Sequence, residues 1–183
     1  MNGESEAEGT TAVGIDSRLG WPVGGAVGGA VGAVAFGALV WLIDPELLVT
    51  EIPAIYGLDP AGVLGWGVHL FHGIVLGILF AFLVTRGPIL GILRTDVETE
   101  ALSETSLTLR VVAAGFVFGL AVWAILPLLV LPLWAGLAGT AAEFPAGAPE
   151  SLLGHLLFGT VLGIVFATTI DVSDRRPETP LEE

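Results

Sequence analysis

The chain of 183 residues contains no cysteine, no lysine, a single methionine (Met1) and only three histidines. Without cysteine there is no disulfide, no thiolate metal site and no thiol chemistry. Without a second methionine, the soft ligands that favour copper are missing too. Charge is scarce: 14% of residues are Asp, Glu, Lys or Arg, far below the share a soluble domain carries. What charge exists is one-sided, with 19 acidic residues against six arginines and a net of −13. That balance excludes nucleic acid and anionic lipid headgroups as partners. Lysine-free, carboxylate-rich loops suit concentrated salt, where mutual repulsion is screened and the carboxylates hold water and ions. The composition points to a halophile.

Hydrophobic residues make up 54% of the chain. They gather in four stretches free of charge, 19–43, 60–85, 111–142 and 151–170. Each is at least about as long as the roughly 20 residues a helix needs to cross a bilayer core. A lone segment in lipid can satisfy its backbone only as a helix. Four such runs leave too little polar surface for a soluble fold. The expected spans are 20–43, 62–85, 109–131 and 151–171, in a multi-pass protein of the cell membrane with the bilayer as its solvent.

A 13-residue stretch occurs twice. His69-Leu70-Phe71-His72-Gly73-Ile74-Val75-Leu76-Gly77-Ile78-Leu79-Phe80-Ala81 returns as His155-Leu156-Leu157-Phe158-Gly159-Thr160-Val161-Leu162-Gly163-Ile164-Val165-Phe166-Ala167, with nine positions identical at an offset of 86. Upstream, Phe36-Gly37, Val40-Trp41, Ile43, Pro45 and Leu47 return as Phe118-Gly119, Val122-Trp123, Ile125, Pro127 and Leu129, at an offset of 82. The chain reads as a two-helix unit duplicated in tandem. Repeat one covers 19–85 and repeat two 109–171, joined by a cytoplasmic linker at 86–108 with one short amphipathic helix. Acidic disordered tails are expected at 1–18 and 172–183; the first lacks the basic region of a cleaved signal peptide. The fold class is all-α: a four-helix transmembrane bundle. An even number of spans per repeat inserts both with one orientation, so their pseudo-twofold axis should run along the membrane normal.

The arginines set the orientation. Arg18, Arg86, Arg94, Arg110, Arg175 and Arg176 flank the spans on one side only, while the connections 44–59 and 143–150 carry none. By the positive-inside rule both termini and the central linker are cytoplasmic. Trp41, Trp66, Trp123 and Trp134 gather toward the opposite helix ends, where an outer aromatic belt belongs, and Trp21 marks the inner surface. Asp44-Pro45-Glu46 reads as a helix start, with a short interfacial helix expected through Leu47 to Thr50. The counterpart after Pro127 has lost those acids.

Small residues recur at spacing four. Gly24, Gly28 and Gly32 form one ridge on the first span, with Gly25 and Gly29 beside it, and Gly115 and Gly119 do the same on the third. His69, Gly73, Gly77 and Ala81 on the second match His155, Gly159, Gly163 and Ala167 on the fourth, each set on one helical face. Such ridges let membrane helices approach without a hydrophobic driving force. These glycines are assigned to helix packing.

Polar groups inside the spans are few, so the histidines stand out. His69 and His155 are repeat equivalents at equal expected depth. If their helices face each other, the pair could ligate haem iron from both sides; hydrogen bonding to carbonyls or to each other is the structural alternative. His72 has no equivalent, since Phe158 takes its place. No catalytic constellation is visible: no HExxH, no GxxxxGK[ST], no Ser-His-acid arrangement and no paired carboxylates within the spans. The chain therefore reads as non-enzymatic, a glycine-packed helical unit acting in a homo-oligomer or as the subunit of a membrane partner protein. Haem b is the one cofactor the histidines suggest, as part of a bis-histidine electron-transfer protein. The remaining alternative is a small-solute channel or transporter whose pathway forms between protomers.

Ile52-Pro53-Ala54-Ile55-Tyr56-Gly57-Leu58 runs into Gly65-Trp66-Gly67-Val68-His69-Leu70-Phe71-His72-Gly73. In these residues the chain resembles a family of small uncharacterised four-span membrane proteins of haloarchaea, and the resemblance covers most of the hydrophobic part. Members often carry a histidine-kinase label. This sequence does not support such an activity, because the segment between the second and third spans is too short to fold an ATP-binding domain. The resemblance implies a compartment and an architecture, in a halophilic archaeon, and no particular activity.

Overall fold

The computed structural model describes residues 20–87, 89, 100–138 and 149–169. The expected tails and residues 88 and 90–99 of the linker lie outside the described residues. Gly20, at φ 75°, turns the chain into α1 (Trp21–Ile43), whose first turn holds Pro22. That left-handed conformation favours glycine, and a proline in the first turn removes an N–H that has no helical partner. α1 stops at Asp44, which is extended (φ −146°, ψ 84°). Pro45 explains the stop, since its ring disfavours helical backbone in the residue before it. Next come a π-helical turn (Leu47–Glu51) and the short α2 (Ile52–Ile55). α3 (Gly62–Val84), α4 (Glu100–Ile125), a second π-helical turn (Leu126–Val130), α5 (Leu131–Ala138) and α6 (Pro149–Thr169) complete the order. Among the described residues all regular structure is helical.

Four segments are long and apolar enough to cross a membrane: Trp21–Ile43, Gly62–Val84, Leu107–Trp134 and Pro149–Thr169. The third departs most from the sequence expectation. α4 already begins at Glu100, within the expected linker, and helix continues past Pro127 to Ala138. Proline lacks the N–H that would bond the Trp123 carbonyl and crowds that carbonyl. The chain widens instead of breaking, and the N–H of Leu131 reaches back to the carbonyl of Leu126. One extra residue per turn relieves the crowding. Pro45 and Pro127 occupy matching places in the two sequence repeats, yet one ends a helix and the other is carried through.

α1 packs closely on both α3 and α6, and α6 packs closely on both α1 and α4. The doubled glycine pattern is the cause. Gly25 and Gly29 meet the Gly77 and Gly73 carbonyls of α3, so close that a Cβ on either would collide with backbone. One position round the helix, Gly28 and Gly32 face α6: a Cβ would lie 2.9 Å from Leu162 Cδ1 and 2.8 Å from the Phe158 carbonyl, respectively. Gly24 meets Thr169 on the same side. On the other pair, Gly115 and Gly119 meet the Gly159 and His155 carbonyls, and Gly163 packs on Val111 and Val112. Every glycine assigned to packing is buried.

The two pairs share a contact register. Gly73 abuts the Gly29 carbonyl as Gly159 abuts that of Gly115, and Gly77 abuts Gly25 as Gly163 abuts Val111. These equivalences lie 86 positions apart on both helices, whereas the sequence match between α1 and α4 lies at 82. The packing of α4 is therefore one helical turn away from its sequence alignment.

α3 and α4 touch only sparsely. In the contact register, Gly32 of α1 corresponds to Phe118 of α4. That ring stands against Phe80 of α3, with centroids 5.3 Å apart, and Phe80 in turn meets Phe166 at 5.5 Å. A glycine ridge brings α1 onto α6, and aromatic rings hold α4 off α3. Ala33, Phe36, Leu48, Phe80, Leu162 and Phe166 form the heart of the core.

Candidate functional site

A cavity of about 520 Å³ lies near the end of the bundle that bears α2. Its walls come from α1, α3 and α6 and from both π-helical turns. Most of the lining is hydrocarbon, but His69, His72, His155, Tyr56, Glu51 and Ser151 also line it. All three histidines of the chain thus share one cavity, His72 included, although the repeat pattern gives it no partner.

Local folding positions each polar group. The connection after α1 folds back on α3: the Leu48 carbonyl lies directly over Gly65, where a Cβ could not fit, and the N–H of Ala61 donates to the Val49 carbonyl at 2.9 Å. Leu48 is buried as a result. This places Glu51, at the end of the first π-helical turn, and Tyr56, just beyond α2, over the cavity. Gly57, at φ 66°, closes the following turn, and the N–H of Leu58 returns to the Pro53 carbonyl at 3.1 Å. The Tyr56 hydroxyl hydrogen-bonds with Nε2 of His72, joining that connection to α3.

His69 and His155 are held differently despite their matching sequence positions. His69 is buried, and its Nε2–H donates to the Ala33 carbonyl at 2.9 Å, across to α1. His155 donates from Nδ1 to the Ser151 carbonyl at 2.7 Å, one turn back in its own helix. The Phe36 ring packs against both, its centroid 5.1 Å from that of His69 and 4.7 Å from that of His155. Gly154 makes room for this ring, since a Cβ there would run into it. The two imidazoles consequently share a phenyl group and not an open gap. A carbonyl on one nitrogen leaves the other able to ligate, as in metal-bound histidines, so what disfavours an iron ligated from both sides is the Phe36 ring packed against both imidazoles.

Glu51 is the group without a local solution. Among the described residues two buried side-chain polar atoms lack a hydrogen-bond partner, Oε2 of Glu51 and Nε1 of Trp123; of these two residues only Glu51 lines the cavity. Burial pushes its carboxyl above the ordinary range, and the nearby charges of Asp44 and Glu46 push in the same direction. No arginine lines the cavity among the described residues. No group of three or more His, Asp or Glu side chains suited to a metal ion occurs among them either.

Glu51, Tyr56 and Ser151 escaped the sequence reading. A usable signal existed for the first two: Glu51 interrupts an apolar run, and Tyr56 is the single tyrosine of the chain. Searches of protein-family models, curated proteins and solved structures find no match to this chain.

Proposed function

We propose that this is a non-enzymatic integral membrane protein that holds a small membrane-soluble molecule in the cavity lined by α1, α3, α6 and the two π-helical turns. The convergence of three histidines, Tyr56 and Glu51 on one otherwise apolar cavity carries this reading. Small-molecule sites combine an apolar wall with a few fixed polar groups, in volumes of roughly 300–1,000 Å³. Buried polar side chains inside membrane helices are costly and mark functional places. The sparse contact between α3 and α4 leaves a side of the bundle through which a lipid-dissolved molecule could enter. Native mass spectrometry of protein extracted from its own membrane tests the reading. A bound small molecule should be present in the native chain and depleted in Val75→Trp, which fills the cavity from α3. Equal occupancy in both would refute it.

The matched glycine contacts support an origin by tandem duplication, with halves related about an axis near the membrane normal. The unequal α1–α6 and α3–α4 contacts make that symmetry approximate. Arginine placement supports cytoplasmic termini, and the lysine-free acidic composition supports a high-salt source. Assembly with further copies or with a membrane partner is consistent with the apolar outer faces of α4 and α5. The bis-histidine haem reading has the least support, because the Phe36 ring packs against both imidazoles. A colourless preparation from cells supplied with haem is the expected result.

A further inference from the structure

The unpaired carboxylate indicates what kind of molecule the cavity receives. An ionised carboxylate with a buried, unsatisfied oxygen is destabilising unless something pairs with it. The described protein supplies no such partner: Oε2 of Glu51 has no hydrogen bond, and no arginine lines the cavity. The connection from 44 to 60 contains no basic residue at all. Two further carboxylates, Asp44 and Glu46, act electrostatically on Glu51. Glu51 in the lining, with Asp44 and Glu46 acting on it from outside the cavity, makes a potential that draws positive charge.

The walls favour an organic cation over a metal ion. Besides Glu51 the lining offers aromatic faces from Tyr56, Phe71 and Trp134 and aliphatic surface from both π-helical turns. Aromatic faces attract organic cations, most strongly where water is excluded. A hydrated or oxygen-coordinated metal would need several more oxygen ligands than this surface presents.

We propose that the cavity binds a hydrophobic organic cation, its positive nitrogen beside Glu51 and its apolar body against the walls of α3 and the second π-helical turn. This inference rests on the cavity being a ligand site, and it adds the charge class of the occupant. A neutral molecule without a hydrogen-bond donor would leave Glu51 unpaired. An anion would be repelled by Glu51.

The test uses the full chain in detergent and two probes of equal shape: the (naphthylmethyl)trimethylammonium ion and its neutral isostere, in which carbon replaces nitrogen. Equilibrium dialysis should show the wild type binding the cation at least about tenfold more tightly, within the scale of an organic cation's attraction to a site that excludes water. Glu51→Gln should erase that preference while retaining affinity for the neutral probe, which also shows that the variant is folded. Glu51→Asp should keep part of the preference. Equal binding of both probes by the wild type, or an unchanged preference in Glu51→Gln, overturns the cation inference and leaves the ligand site standing. Failure of the wild type to bind either probe overturns the site itself.

Discussion

The Nε2–H of His69 donates to the carbonyl of Ala33 at 2.9 Å, across the close contact of α3 with α1. His155, at the matching sequence position, spends its Nδ1–H on Ser151 within its own helix. The same residue type therefore ties two helices together in one half and only decorates one helix in the other.

His69→Leu should cost more stability than His155→Leu. Interhelical hydrogen bonds in membranes contribute about 0.6 kcal/mol on average and at most about 1.7. The larger figure is expected for His69, which is the more deeply buried of the two. Unfolding in mixed detergent measures both variants, and an equal loss would contradict the assigned roles.

Gly77→Ala should destabilise, and Gly67→Ala should not. A Cβ at Gly77 would meet the Gly25 carbonyl, and Gly29 Cα at 2.7 Å; all of this is backbone and cannot swing away. At Gly67 nothing lies within 4 Å. Overpacking of this kind costs about 1–3 kcal/mol, and Gly77→Leu should lie at the upper end. Thermal unfolding of the three variants is the measurement, and similar midpoints for Gly77→Ala and Gly67→Ala would contradict the close contact.

Stability should fall as pH rises through the range just above the ordinary carboxylate value. The folded protein raises the Glu51 pKa, so in that range the native state holds more protons than the unfolded chain. The unfolding free energy then decreases with pH. Below the unfolded value the contribution is fully present, and it is lost as pH passes the folded value. Glu51→Gln should flatten this part of the profile, and an unchanged slope would show that other groups produce it.

Reporters fused after Asp59 and after Arg94 should give opposite signals, with the second on the cytoplasmic side. All six arginines lie at one set of helix ends in the sequence. At that end Arg86 packs over the Phe82 ring, 3.6 Å from its centroid, and Trp21 lies 6.1 Å from the same ring. Matching signals from the two fusions would overturn the orientation.

The sequence by itself determined the four apolar helices, because span length and hydropathy are local properties that need no knowledge of neighbours. It also marked the glycine faces, since spacing four lays residues along one side of a helix. Tertiary structure decided which face meets which helix. Two adjacent glycine ridges let α1 pack on α3 and α6 at once, and Phe118 in place of a glycine held α4 away from α3. Only the folded chain shows Phe36 packed against both imidazoles, because that depends on Gly154 yielding space on a helix far off in sequence. Only it brings His72, Tyr56 and Glu51 to one cavity, through a connection that folds back over Gly65. Periodicity describes a surface; the partner of that surface is set by shape matching between distant segments, and no single segment encodes it.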